Sequence, residues 1–177
     1  ENLLKWTKEL SLKTNRWIKS SSAAIGLNED FSTMIFDSSK GACEFISPKI
    51  TLSSDFFDKQ FCLSFLINSE DWESLGNDTS NYFAAQIRLY EDYFDSNRKM
   101  YKQIGHIYNK NNFNFQTDFS ILPIGKWIKV YKIFTFDDFS LDSSVSSFSP
   151  EQCGYFSITF YTKSAGTLRI KKPKLEK

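Results

Sequence analysis

At 177 residues, 41% of them hydrophobic, the chain can bury a core of its own, and one domain spanning residues 1–177 is expected. Its 22 Lys and Arg nearly balance 21 Asp and Glu, leaving a net charge of +1 spread along the sequence; that excludes nucleic acid as an expected partner, and no apolar run reaches the length of about 18 residues that a membrane span needs. Three cysteines, Cys43, Cys62 and Cys153, form no Cys-x-x-Cys pair, and His106 is the one histidine; neither a disulfide framework nor a zinc site is expected.

From the N-terminus, Leu3-Leu4 with Thr7 and Leu10 has helical spacing without a clear cap. Short strand candidates follow at Arg16–Lys19, Thr33–Phe36 and Cys43–Ile46. Ser53–Phe57 and Ser69–Leu75 each suit a single helical turn. Between them Phe61, Leu63, Phe65 and Ile67 alternate with Cys62, Ser64, Leu66 and Asn68, the period of a strand with one buried face. The same alternation recurs in Phe83, Ala85, Ile87 and Leu89, in Ile128, Val130, Lys132 and Phe134, and in Phe156, Ile158 and Phe160. Tyr101–Tyr108, Phe113–Phe119 and Thr167–Lys171 are further strands, and the Ser-rich stretch Leu141–Pro150 reads as a long surface loop. Many short strands with little helix predict an all-β sandwich of two antiparallel sheets. Aromatic residues make up 17% of the chain and 18 of them are Phe, so packing accounts for most of that excess.

Both ends carry short motifs. Asn2-Leu3-Leu4 is followed by Thr7-Lys8, and the chain closes on Pro173-Lys174-Leu175-Glu176. Between them Ile46-Ser47-Pro48-Lys49-Ile50-Thr51-Leu52 precedes the Phe61–Phe65 strand, and Gly125-Lys126-Trp127 opens a later one. In this order the motifs resemble those of jelly-roll modules in tail, baseplate and receptor-binding proteins of phages infecting Gram-positive bacteria, relatives of galactose-binding-like domains and carbohydrate-binding modules. The chain departs from that pattern at Ser54–Lys59, where a tight glycine turn is usual, and in the long Tyr82–Phe119 region. The resemblance implies a jelly-roll fold and adhesion to host cell-surface saccharides. It also implies a place in the virion beside other tail or baseplate proteins, Trp17 and Trp127 at core or rim positions, and the structural calcium that such jelly rolls often hold. The alternatives are a structural fibre module that binds no sugar, and an accessory domain of a secreted bacterial glycan-degrading enzyme. With Glu at its first position and no signal peptide in view, the chain is expected to be processed or part of a longer protein.

Catalytic signatures are lacking. No Gly-x-Ser-x-Gly or His-Glu-x-x-His occurs, and the seven glycines build no phosphate-cradling loop. The carboxylates of Glu70, Asp71 and Glu73, and of Glu91, Asp92 and Asp95, sit in polar stretches and read as solvated faces. The same clusters have the oxygen chemistry calcium prefers, but no Asp-x-Asp-x-Asp-Gly loop is present, so no metal ligands are assigned and no other cofactor is expected. The expected activity is non-catalytic saccharide binding, which asks for a ring to stack on a pyranose and planar polar groups for its hydroxyls. If Phe83, Ala85, Ile87 and Leu89 face the core, Gln86, Arg88, Tyr90 and Asp92 project together from the other side at intervals of about 7 Å. Trp72, set among carboxylates, and His106 extend the candidate saccharide surface.

Overall fold

A computed structural model describes residues 1–4, 17–19, 25–28, 32–37, 43–70, 82–95, 98–108, 124–141, 153–163 and 167–177. These residues form a jelly-roll β-sandwich. Its strands are β1 (Ile18–Lys19), β2 (Ile25–Leu27), β3 (Thr33–Asp37), β4 (Cys43–Ile46), β5 (Ile50–Thr51), β6 (Phe61–Ser69), β7 (Tyr82–Asp95), β8 (Arg98–Tyr108), β9 (Ile128–Phe134), β10 (Ser140–Leu141), β11 (Cys153–Lys163) and β12 (Thr167–Glu176). One sheet runs β1-β4-β11-β7-β8-β10, with β5 also on β11; the other runs β2-β3-β12-β6-β9. Every pairing among the described strands is antiparallel.

Alternation decides which face each strand buries. Phe61, Leu63, Phe65 and Ile67 of β6, Ile87 and Leu89 of β7, Ile128, Val130 and Phe134 of β9, and Phe156, Ile158 and Phe160 of β11 are all buried. They meet between the sheets through ring edges: Phe65 on Phe160 at 5.1 Å, Phe36 on Phe45 at 6.4 Å and Phe61 on Phe156 at 6.2 Å. Trp17 has no exposed surface and stacks on Phe45 at 5.3 Å and on Phe160 at 6.2 Å, so the core assignment holds for it. Trp127 lies at the rim, 37% exposed, with the Lys171 ammonium 3.9 Å from its ring centre.

Helical structure among the described residues is confined to two single 3-10 turns. Ser54–Phe56 lies where a turn was predicted. The other, Phe136–Asp138, was not predicted, although Thr135-Phe136-Asp137-Asp138 has the spacing of a capping box: the Thr135 amide donates to Asp138 Oδ2 at 2.8 Å. The expected helix at Leu3–Leu10 is not helical at Leu3-Leu4, and its remainder falls outside the described residues, as do residues 71–75 and the predicted strand Phe113–Phe119. Ser69 ends β6 and Leu141 belongs to β10; the rest of the predicted Ser-rich loop is also outside.

The two termini lie side by side, and the motifs at the two ends bond each other. Leu3 N–H donates to the Leu175 carbonyl at 2.8 Å. The Asn2 amide donates to the Pro173 carbonyl at 3.2 Å, while its oxygen accepts from the amides of Leu175 at 2.9 Å and Leu4 at 3.1 Å. These bonds fall at Pro173–Leu175, within the closing motif. There β12 is bulged between Lys171 and Lys174, with Lys172 at φ 52°. Ahead of β9, Gly125 takes φ 72° and its amide reaches the Ser69 carbonyl at 2.8 Å, so the Gly-x-Trp motif is a left-handed turn that feeds β9 onto β6.

Candidate functional site

The outer face of the seven-stranded sheet holds the predicted polar row and the groups it meets. Because Ile87 and Leu89 are buried, Arg88 and Tyr90 project outward, both half-buried. Each lies opposite a residue of β11: Arg88 faces Ser157 and Tyr90 faces Tyr155.

Tyr90 and Tyr155 stack, with ring centres 4.6 Å apart and planes 15° from parallel. The Lys49 ammonium sits 4.6 Å from the Tyr155 ring centre. Lys49 is held there by the Ser47-Pro48 step. Pro48 has no N–H for the ladder, so Ser47 completes the pairing with Ile158. Its amide donates to the Ile158 carbonyl at 2.8 Å, and its hydroxyl accepts from the Ile158 amide at 2.9 Å. The chain thus stays alongside β11 into β5, which carries Lys49 past Tyr155.

This stack changes the role expected of Tyr90. The sequence suggested a free aromatic plate, but one ring face is taken by Tyr155. At most the opposite ring face, on the side of β8, is left for a pyranose to stack on.

Arg88 reaches across β11 to Glu44 on β4, with Nη2 2.6 Å from Oε1. Glu44 lies level with Tyr161 and Arg88 level with Ser157, so the pair spans the β11 positions between them, where Thr159 sits. Ser157 and Thr159 are buried on this outer face, at 3% and 0% exposure, and their hydroxyls have no hydrogen-bond partner among the described residues.

The other predicted residues are placed less fully. Gln86 is the register partner of Thr159 on β11 and of Tyr108 on β8. His106 lies directly across from Arg88, and Asp92 across from Tyr101. Their side chains are outside the described set, as is the whole of Trp72. The register thus brings Gln86, Arg88 and His106 to neighbouring positions on adjacent strands, with Tyr90 one pleat further along β7. Glu44, Lys49, Tyr155, Ser157 and Thr159 were missed. Tyr155, Ser157 and Thr159 were visible as the polar half of the β11 alternation, a row as regular as the one chosen on β7.

Among the described residues no three His, Cys, Asp or Glu side chains converge as a cation site would require. Glu70, one of the carboxylates considered for calcium, pairs with Arg169.

No protein-family model matches the sequence, and neither does any curated protein. Solved structures do share the fold. A putative sugar binding protein from Bacteroides thetaiotaomicron superposes with a TM-score of 0.54 at 11% identity, over 100% of both chains. A family 16 carbohydrate binding module gives 0.50 at 10% identity, again over 100% of both. The enzymatically active domain of tailspike protein 4 of bacteriophage CBA120 gives 0.50 at 12% identity. The match takes in 98% of this chain, which spans only 21% of that one. These structures share the β-sandwich fold of this chain.

Proposed function

We propose that this chain is a non-catalytic carbohydrate-binding module that holds a saccharide across the outer face of the seven-stranded sheet, and that it serves a phage tail or baseplate protein in adhering to a host cell envelope. The observation that carries the reading is the site around Tyr90: an outward ring stacked on Tyr155, beside the Arg88–Glu44 pair and two buried hydroxyls. A pyranose stacked on Tyr90 brings its hydroxyls to a guanidinium and a carboxylate, the planar partners that sugars use. Gln86 and His106 stand at register positions beside Arg88 and would extend the surface, with Asp92 and Trp72 as further contacts. Stacking and hydrogen bonds of this kind are individually weak and gain force from many copies on one particle. A sugar binding protein and a carbohydrate binding module with the same fold along their whole length support the saccharide; the tailspike domain supports the phage setting.

The test is binding to a glycan array and to host cells by wild type, Tyr90→Ala and Tyr90→Phe. Tyr90→Ala should weaken binding by about 1 kcal/mol or more, as truncation of a central contact does. Tyr90→Phe, which keeps the plate, should retain most of it. Equal binding by wild type and Tyr90→Ala overturns the assignment.

A further inference from the structure

Positive charge is concentrated in two sequence segments, which the fold brings to either side of one strand. Residues 124–134 and 167–177 contain eight Lys and Arg and one Glu, a net +7 in a chain whose total is +1, so the remainder is net −6. These two segments are β9 and β12 with their immediate flanks, and they lie on either side of β6, which carries no charge at all.

The outer face of these three strands is a shallow trough. Its floor is Cys62, Ser64, Leu66 and Asn68 of β6. One wall is Arg169, Lys171 and Lys174 of β12, ending on Glu176; the other is Lys129, Tyr131 and Ile133 of β9. Leu66 lies between Lys171 and Lys129, and Ser64 between Lys174 and Tyr131. The walls are two strand spacings apart, about 10 Å, close to the Debye length at ordinary ionic strength, so the fields of both rows overlap above the floor. Two of the cations are answered locally, Arg169 by Glu70 and Lys174 by Glu176 at 2.7 Å. Lys129 is exposed, and Lys171 rests on Trp127.

We propose that this trough is a second binding surface, on the sheet opposite the Tyr90 site, and that it takes a linear acidic polysaccharide. Charge complementarity selects a polyanion: Arg169, Lys171, Lys174 and Lys129 against Glu176 leave this face a net +3 on a nearly neutral chain, which attracts one at long range. The chemistry of the walls selects the kind. Three of their four cations are lysines, compact point charges on flexible stems, suited to a repeating charge of loose geometry rather than to the planar fork-to-fork pairing that arginine offers. The floor is made of small and aliphatic side chains with no ring, and Trp127 already carries an ammonium. Nucleic acid strands gain much of their affinity by stacking successive bases on open rings, and this face offers them the single ring of Tyr131 on one wall; a sugar chain with hydroxyls and carboxylates needs none.

The test uses polygalacturonate as probe, with neutral dextran, single-stranded DNA and duplex DNA as comparisons, on wild type, the triple variant Lys129→Glu/Lys171→Glu/Lys174→Glu, and Tyr90→Ala. Wild type should bind polygalacturonate and not dextran, with affinity falling about tenfold or more between about 50 and 200 mM salt. The triple variant should lose the binding and its salt dependence while remaining folded, with at most a small fall in melting temperature from the lost Lys174–Glu176 and Lys171–Trp127 contacts. Tyr90→Ala should bind polygalacturonate as wild type does, which separates this surface from the Tyr90 site: loss of neutral-sugar binding with polygalacturonate binding intact would leave this inference standing. If the reversed variant melts early, the Lys→Gln triple variant replaces it under the same expectations. Absence of salt-sensitive polygalacturonate binding in wild type overturns the proposal. So do its survival in a folded triple variant, equal or tighter binding of either DNA, and a salt-sensitive self-association in its place.

Discussion

Tyr90 and Arg88 are two residues apart on one strand, yet truncating them should have different consequences. Tyr90→Ala removes a ring stacked on Tyr155 and opens no core cavity, so the stability loss should be about 1 kcal/mol, the worth of an aromatic pair. An outward position alone would make Arg88 matter little for folding. It is only 21% exposed and is bonded to Glu44 at 26%. Arg88→Ala removes the guanidinium bonded to a half-buried carboxylate, and chemical denaturation should show a loss of about 1–2 kcal/mol. Arg88→Lys should recover part of it, and no loss in either variant would show that the pair is not holding this face together. The site was half legible at this scale. Tyr90 and Arg88 declare themselves by alternating with Ile87 and Leu89. Glu44 does not, because it lies 44 residues away in sequence, and local periodicity says nothing of which strand becomes a neighbour. The orientation of the Tyr90 ring was hidden for the same reason: it is set by Tyr155, on a strand that arrives last but one.

The last strand, β12, has to pack its core face against β6 and also close on the N-terminus, and a bulge reconciles the two. Lys172 takes the left-handed conformation that an L side chain disfavours, at a cost of about 1–2 kcal/mol. Lys172→Gly should therefore be neutral or slightly stabilising. Lys172→Val, with a branched Cβ, should destabilise by about 1 kcal/mol or more beyond Lys. Equal melting of all three forms would mean that the bulge relaxes away. At Gly125 the space for a Cβ is open, with no atom within 4 Å, so Gly125→Ala should cost about 1 kcal/mol from its φ alone. Long strands were readable because four apolar residues at period two, as in Phe61–Ile67, leave little ambiguity. Ile18–Lys19 falls within the predicted Arg16–Lys19 strand, whereas Ile50–Thr51 and Ser140–Leu141 have two residues each, too few to show any period; partners already in the sheet define them. Ile25–Leu27 has three and contains a glycine.

Across the whole molecule, closure of the two ends ties the sandwich together, and part of that closure is electrostatic. Asn2 bonds both termini through three hydrogen bonds, and Asn2→Ala should cost about 1–2 kcal/mol. Beside it, the Lys177 ammonium bonds Asp55 Oδ2 at 2.5 Å and lies over the Phe56 ring, 4.9 Å from its centre. Lys174 bonds Glu176 at 2.7 Å. The hydrogen bond from Lys177, then that from Ser53, hold the Asp55 carboxyl below its ordinary 3.8, and Lys174 holds Glu176 below 4.5. A carboxyl lowered on folding stabilises the native state while it is ionised, above its unfolded value, and the contribution disappears as pH falls through the folded value. Both groups are fully exposed, so the effect is modest and weakens with salt. Wild type should accordingly melt above the double variant Asp55→Asn/Glu176→Gln at neutral pH. The gap should close as pH falls from about 5 to about 2, because acid then does to wild type what the substitutions have already done. A gap that stays constant across that range would place the stabilisation elsewhere, in the Asn2 bonds and the apolar seam beneath them.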